Sequence, residues 1–205
     1  MSRPRINLEN YAEVYNYYKG YRPTPVASWT LHAALGAVFA PQVAYAPGAK
    51  KQIADLLHNH KSVVLAANHT KAIDPCLIAA LPVRQHAFRP LIGNTFIPSK
   101  KSIFKNPLVR RAVDGLGAVP VFRQKDTELE QDTSSNLPRA SLTAFVKTSV
   151  ARLIDRQNMA IYPVGARKKG DDTKCHELPD GIDLMVGRVS RVPEPPVYPL
   201  GGLSG

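Results

Sequence analysis

The order of apolar and polar positions along the chain forms short runs typical of strands and longer stripes typical of helices. Residues 62–67, Ser-Val-Val-Leu-Ala-Ala, form an apolar and partly β-branched run between polar segments, which predicts a buried strand. Residues 140–157 carry apolar side chains at helical spacing, which predicts a helix. Because strands and helices alternate through most of the chain, the sequence predicts an α/β fold. We expect a two-layer or three-layer sandwich around a mixed, largely parallel sheet.

Shorter patterns predict the remaining elements. Brief apolar or alternating runs predict strands over residues 42–46, 87–93, 119–122, 159–162 and 196–200. Short helices or helical turns are predicted over residues 51–58, 75–80 and 102–116. Residues 124–138 are polar and predict a loop.

Residues 26–39 lie between two prolines and predict an N-terminal amphipathic helix. Its apolar stripe consists of Leu31, Leu35, Val38 and Phe39. The helix would be roughly 21 Å long, short of the ~30 Å hydrocarbon layer, so we expect it at a membrane interface or packed on its own domain. Before it, residues 1–25 form a Tyr-rich segment, and residues 26–205 are predicted to be a single α/β domain.

The chain is strongly basic, with 27 Lys and Arg against 16 Asp and Glu and a net charge of +11. This balance favours a negatively charged partner, whether nucleic acid, an anionic lipid surface or a phosphorylated substrate. Nucleic acid is the least supported, because the tyrosines of residues 1–25 are far in sequence from the main basic cluster. That cluster, predicted to contact a membrane or CoA unless it is an ordinary solvated face, comprises Lys100, Lys101, Lys105, Arg110 and Arg111.

The cysteine content bears on the cell compartment and on metal binding. Cys76 and Cys175 are too few for a disulfide framework, which favours a reducing compartment. Cys175 and His176 lack partners at metal-ligand spacing, so no metal site is predicted. Residues 1–25 contain no apolar signal-like stretch. We therefore expect a cytoplasmic protein associated peripherally with a membrane.

A histidine and an aspartate follow the strand predicted at residues 62–67. Residues 68–74 read Asn-His-Thr-Lys-Ala-Ile-Asp, an HX4D motif, and Pro75 after Asp74 predicts a helix with Asp74 as its N-cap. A carboxylate at this position can turn back to hold the imidazole of His69 and stabilise its charged form. His69 is therefore a candidate general base, and a chance pair in a surface loop is the alternative.

Three further segments also lie at the carboxyl ends of predicted strands, and the ordered set has a known counterpart. They are residues 117–123 (Gly-Ala-Val-Pro-Val-Phe-Arg), 162–167 (Tyr-Pro-Val-Gly-Ala-Arg) and 196–199 (Pro-Val-Tyr-Pro). With residues 68–74 they resemble the four sequence blocks of the glycerolipid acyltransferases, the family of lysophosphatidic acid and glycerol-3-phosphate acyltransferases. The resemblance covers about residues 29–201 and rests mainly on the order and spacing of the blocks.

The resemblance implies transfer of a fatty acyl group to a hydroxyl of a lysophospholipid or glycerol-phosphate acceptor. The donor would be acyl-CoA or acyl carrier protein, a co-substrate rather than a bound cofactor. His69 would take the proton of the acceptor hydroxyl, and Asp74 would orient His69. Arg123 and Arg167 would bind the acceptor phosphate through their planar guanidinium groups, and Gly165 would let the backbone approach it closely.

The third block departs from the pattern of this family. The family typically reads Phe-Pro-Glu-Gly-Thr-Arg, whereas this chain has Val164 and Ala166 at the Glu and Thr positions. Loss of such buried hydrogen-bond partners can cost ~1–3 kcal/mol each. The sequence leaves open a changed acceptor, a weakened enzyme, or a catalytically silent relative that binds lipid or membrane surfaces. The intact pair of His69 and Asp74 argues for retained chemistry.

Overall fold

A computed structural model describes residues 2–59, 61–67, 71–122, 136–162, 187–188 and 197–203. They contain a 5-stranded sheet in the order β3-β2-β4-β1-β5. Its strands are β1 (Ser62–Ala67), β2 (Thr95–Lys100), β3 (Ala118–Val121), β4 (Asn158–Ile161) and β5 (Val197–Leu203). Every described strand pairing is parallel, which confirms the predicted α/β class.

Helices cover both faces of this sheet. They are α1 (Tyr11–Gly20), α2 (Pro25–Val38), α3 (Ala49–His58), α4 (Asp74–Arg84), α5 (Pro107–Gly115) and α6 (Leu137–Ile154). Side chains that alternate along a strand point to opposite faces, so Val64 and Met159 pack with α1 and α6, whereas Leu65 and Ala160 pack with α3 and α4. The sheet is therefore the middle of three layers.

Two of the predicted strands are wrong. Residues 42–46 have no regular structure. Residues 87–93 fall largely in a 3₁₀ helix, His86–Leu91, which contains Pro90. The strand begins only at Thr95, as β2.

The helix predicted over residues 102–116 is broken into two pieces. A short 3₁₀ helix, Lys101–Phe104, is followed by α5, which begins at Pro107. The side chain of Asn106 accepts hydrogen bonds from the N–H groups of Leu108 (2.9 Å) and Val109 (3.2 Å). This side chain caps α5. Pro107, which lies inside the helix predicted over residues 102–116, instead occupies the first turn of α5.

The Tyr-rich segment contains a helix that the sequence pattern did not predict. In α1, Tyr15 is 2% exposed and Tyr18 is 0% exposed. The Tyr15 ring meets Phe122 edge-on, with 5.9 Å between ring centroids. These two tyrosines therefore belong to the protein core, which removes them as stacking platforms for a nucleic acid.

The helix α2 confirms the helix predicted over residues 26–39, but its most buried residues are not those of the predicted apolar stripe. Its most buried residues are Ser28, His32 and Gly36, and α2 packs mainly on α4. A Cβ on Gly36 would lie 3.2 Å from Cβ of Val83, so the glycine allows a close approach of the two helices. Val38, predicted to lie on the apolar stripe, is instead 75% exposed. None of the described helices is long and apolar enough to cross a bilayer.

Candidate functional site

Two of the four predicted blocks directly follow a strand, and the block at residues 117–123 contains β3 and ends two residues beyond it. β1 ends at Ala67, β3 ends at Val121 and β4 ends at Ile161. Because the strands are parallel, these ends share one edge of the sheet, here called the carboxyl edge. Strands β1 and β4 are neighbours, with Ala66 opposite Ile161. The segments that follow them therefore start side by side.

The fourth block lies elsewhere, which corrects the prediction that it ends a strand. Val197 pairs with Ser62 and Tyr198 pairs with Val63, at the start of β1. Residues 197–199 therefore begin β5 at the opposite edge of the sheet, here called the amino edge. The chain reaches the carboxyl edge again only near Leu203, which pairs with Ala67.

Asp74 is the first residue of α4 and is half-buried. Its Oδ2 accepts a hydrogen bond of 2.7 Å from the backbone N–H of Lys71. The N-cap is Ile73 rather than Asp74, so the carboxylate closes the preceding turn instead of capping the helix. The positive end of the helix dipole favours a negative charge at this position. The structure thus holds Asp74, the last residue of the HX4D motif, in place.

Tyr162 shares this region and was not singled out as a site residue from the sequence. It follows β4 directly, one position beyond the pairing of Ile161 with Ala66. Burial raises the pKa of the Tyr162 phenol, and electrostatic interaction with the nearby Asp74 and Cys76 raises it further. Tyr162 therefore keeps its proton at neutral pH and can act as a hydrogen-bond donor. The sequence carries one signal. The chain has a tyrosine where the family pattern has phenylalanine, and the added hydroxyl needs a hydrogen-bond partner when it is buried.

The other predicted site residues lie outside the described residues. These are His69, Arg123, Gly165 and Arg167, together with the substituted positions Val164 and Ala166. Their roles remain predictions. The structure fixes the chain just before them, since Phe122 is buried immediately before Arg123 and Tyr162 is the first residue of the third block.

The predicted basic cluster divides into an outer group and one inward residue. Lys100, Lys105 and Arg111 are exposed and Lys101 is half-buried. Arg110 instead points inward: one of its terminal nitrogens donates a 2.8 Å hydrogen bond to the carbonyl of Pro4, and its Nε lies 3.7 Å from Asp114. Arg110 is therefore not part of the surface to which the sequence assigned it.

An apolar pocket lies between α4 and the sheet. Its cavity volume is about 20 Å³, room for about one water molecule. The lining includes Leu65, Ile78, Leu81, Ile97 and Ala160. His32 also lines it. Within the described part of the chain, no group of three or more metal-ligating side chains is placed to hold an ion.

His32 is the one titratable residue in this lining. Its Nδ1 lies 2.5 Å from the carbonyl oxygen of Ala79. A carbonyl can only accept, so Nδ1 carries the proton of a neutral imidazole. Burial lowers the pKa of His32, although its bond to Ala79 partly opposes this. The pocket therefore holds an uncharged histidine at neutral pH.

Comparison with known proteins identifies a family for this chain. A family model described as Acyltransferase matches residues 49–201. The matched region runs from the start of α3 into β5, and includes Asp74 and Tyr162. No curated protein matches the chain significantly. Because the family model covers most of the 205 residues, the chain belongs to the acyltransferase family.

Proposed function

We propose that the protein is an O-acyltransferase of the 1-acylglycerol-3-phosphate acyltransferase type. It moves a fatty acyl group from acyl-CoA or acyl carrier protein to a hydroxyl of a lysophospholipid or glycerol-phosphate acceptor. Membership of the acyltransferase family supports acyl transfer in general. The observation that carries the finer proposal is the position of Asp74, fixed by Lys71 at the carboxyl edge and five residues after His69.

The proposed chemistry needs one base and no nucleophile on the enzyme. His69 removes the proton of the acceptor hydroxyl, and the oxygen attacks the thioester carbonyl. The new C–O ester bond forms, the C–S bond breaks, and the proton passes from His69 to the departing thiolate. Asp74 has two carboxylate oxygens, so the one held by Lys71 anchors the group while the other can face the imidazole.

Tyr162 is a further candidate for this reaction. Its neutral phenol lies within electrostatic reach of Asp74, at the end of the strand next to β1. A protonated donor at this edge can stabilise negative charge that develops on a substrate oxygen. We therefore include Tyr162 as a positioning or charge-stabilising residue.

The acceptor phosphate is the part of the substrates for which the sequence offers candidate ligands. Arg123 and Arg167 are proposed to bind the acceptor phosphate, with Gly165 allowing close backbone approach. The apolar pocket beneath α4 has room for only about one water molecule, which is too small for a hydrocarbon chain.

The net charge of +11 supports a membrane surface as the second partner. Lipid acceptors reside in membranes, so we propose a cytoplasmic protein bound peripherally to one. The alternative function is a silent acyltransferase-fold protein that binds lipid surfaces, and Val164 and Ala166 favour it.

The test is to identify the product by mass spectrometry. Acyl-CoA is incubated with each member of a panel of lysophosphatidate, glycerol 3-phosphate and neutral lysophospholipid acceptors. The proposal expects an acylated phosphate-bearing acceptor with wild type and none with His69→Ala. The silent alternative expects no product from either, and predicts product only after Val164→Glu and Ala166→Thr are combined.

A further inference from the structure

A mixed apolar and basic surface lies at the turn between β2 and α5. We call it the β2–α5 corner, and its exposed side chains include Lys100, Ile103, Lys105, Leu108, Val109 and Arg111. Three of these are large hydrophobic residues, with Ile103 41%, Leu108 75% and Val109 43% exposed. All three lie within the region where the sequence predicts a helix over residues 102–116.

The backbone beneath the corner is firmly anchored. Phe104 is 5% exposed and packs in the core that includes Tyr18 and Phe96. Asn106 caps α5, as described above, and the other end of that helix is fixed by the buried Asp114. The exposed apolar side chains are therefore displayed by a fixed scaffold.

The corner lies at the carboxyl edge. Lys100 is the last residue of β2 and pairs with Val121, the last residue of β3. In the sheet order, β2 is two positions from β1, so at the usual strand spacing their ends are about 10 Å apart. The corner and Asp74 therefore share one end of the molecule.

A second exposed apolar surface, on α2, differs in both charge and place. Val26 is 78% exposed, Trp29 45% and Val38 75%, but α2 contains no Lys or Arg. Ser28 and Leu31 of this helix lie against Gly93 and Gly115, which precede β2 and β3. The first half of α2 therefore lies near the amino edge, away from Asp74.

We propose that the β2–α5 corner docks on an anionic lipid bilayer, with Leu108 and Val109 entering the interface and Lys105 and Arg111 meeting lipid phosphates. Exposed apolar residues flanked by cations suit such a surface, because burial of the tips and attraction of the charges act together. A nucleic acid would need exposed aromatic rings, whereas Phe104, the aromatic residue of the corner, is buried. The inference rests on the proposed function, since a membrane-resident acceptor requires the reaction edge to face the bilayer.

The test is flotation of the full chain with phosphatidylcholine vesicles, with or without phosphatidylserine. The variants Leu108→Glu and Val38→Glu are a matched pair, because both side chains are 75% exposed and they lie on the corner and on α2 respectively. Leu108→Glu should weaken binding to the anionic vesicles about tenfold or more, and Val38→Glu should change it by less than about twofold. Lys105→Glu combined with Arg111→Glu should abolish the preference for phosphatidylserine.

The opposite ranking of Leu108→Glu and Val38→Glu would overturn the inference in favour of α2. Wild type that binds neither kind of vesicle would overturn it as well. Unchanged thermal unfolding shows that each variant is folded. Acyl transfer to water-soluble glycerol 3-phosphate is measured in parallel. Docking at the corner without any transfer leaves the inference standing and removes the proposed function. Transfer without corner-dependent docking does the reverse.

Discussion

The hydroxyl of Tyr18 donates a 2.8 Å hydrogen bond to Oδ1 of Asp114, which joins α1 to α5. Both residues are 0% exposed. Two arginines approach the other oxygen of Asp114, with Arg3 at 3.4 Å and Arg110 at 3.7 Å. One hydrogen bond and two ion pairs thus compensate this buried carboxylate, and Tyr18 and Arg3 both belong to the first 20 residues. The N-terminal segment is tied into the core through this group.

Replacing Tyr18 with phenylalanine should destabilise the protein. The change leaves Oδ1 of Asp114 buried without its donor, so we expect a loss of about 1–3 kcal/mol in the free energy of unfolding. Urea titration measures it. Tyr11→Phe, on the same helix and half-buried, should change the free energy by less than about 0.5 kcal/mol. Equal effects of the two changes would contradict this account.

The buried His32 should make stability depend on pH. Its folded-state pKa is lowered from 6.5, mainly by burial, so the folded protein disfavours the charged imidazole. The stability that this residue contributes is therefore fully present above 6.5 and is lost as pH falls through the lower folded-state pKa. His32→Gln should flatten the stability profile in that range. A variant that keeps the slope of wild type would show that another group titrates.

Replacing Asp74 with asparagine should reduce turnover while leaving the fold intact. The amide keeps an oxygen for the N–H of Lys71 but loses the charge that stabilises the imidazolium of His69. We expect kcat to fall roughly a hundredfold or more. The control is Asp155→Asn, since that carboxylate is 71% exposed and pairs with Arg22. Activity of Asp74→Asn equal to that of the control would remove Asp74 from the mechanism.

Removal of the Tyr162 hydroxyl should lower kcat about tenfold or more with a smaller effect on KM, because it deletes a donor that acts on developing charge. The variant is Tyr162→Phe, assayed across pH. Tyr45→Phe is the control, since the Tyr45 hydroxyl donates to Gln85 at the far end of α4. If Tyr162→Phe behaves like Tyr45→Phe, the phenol has a structural role.

The sequence predicted well those elements whose pattern is local. The apolar run of β1 and the helical stripe of α6 define their elements without help from distant residues. Arg152 shows the limit of such patterns. It is 1% exposed, stacks 4.8 Å from the Phe96 ring and donates to the carbonyl of Tyr18, and these partners come from distant parts of the chain. A charged residue on a predicted helix gives no sign of such partners.

The same difference between local patterns and contacts from distant parts of the chain explains which residues of the candidate site were predicted from the sequence. Asp74 was predictable because it belongs to a contiguous motif and begins a helix. Tyr162 was missed because its importance depends on the pairing of β4 beside β1, which brings it near Asp74. The fourth block was assigned to the wrong edge because strand order does not define strand register. The split of Arg110 from its neighbouring cations likewise depends on Asp114 and Pro4.

The most direct measurement of the central claim is release of free thiol from acyl-CoA, compared between wild type and His69→Ala with and without lysophosphatidate. We predict release from wild type that depends on the acceptor and disappears in His69→Ala. Equal release from the two proteins, or release from wild type that ignores the acceptor, would contradict acyl transfer with His69 as its base.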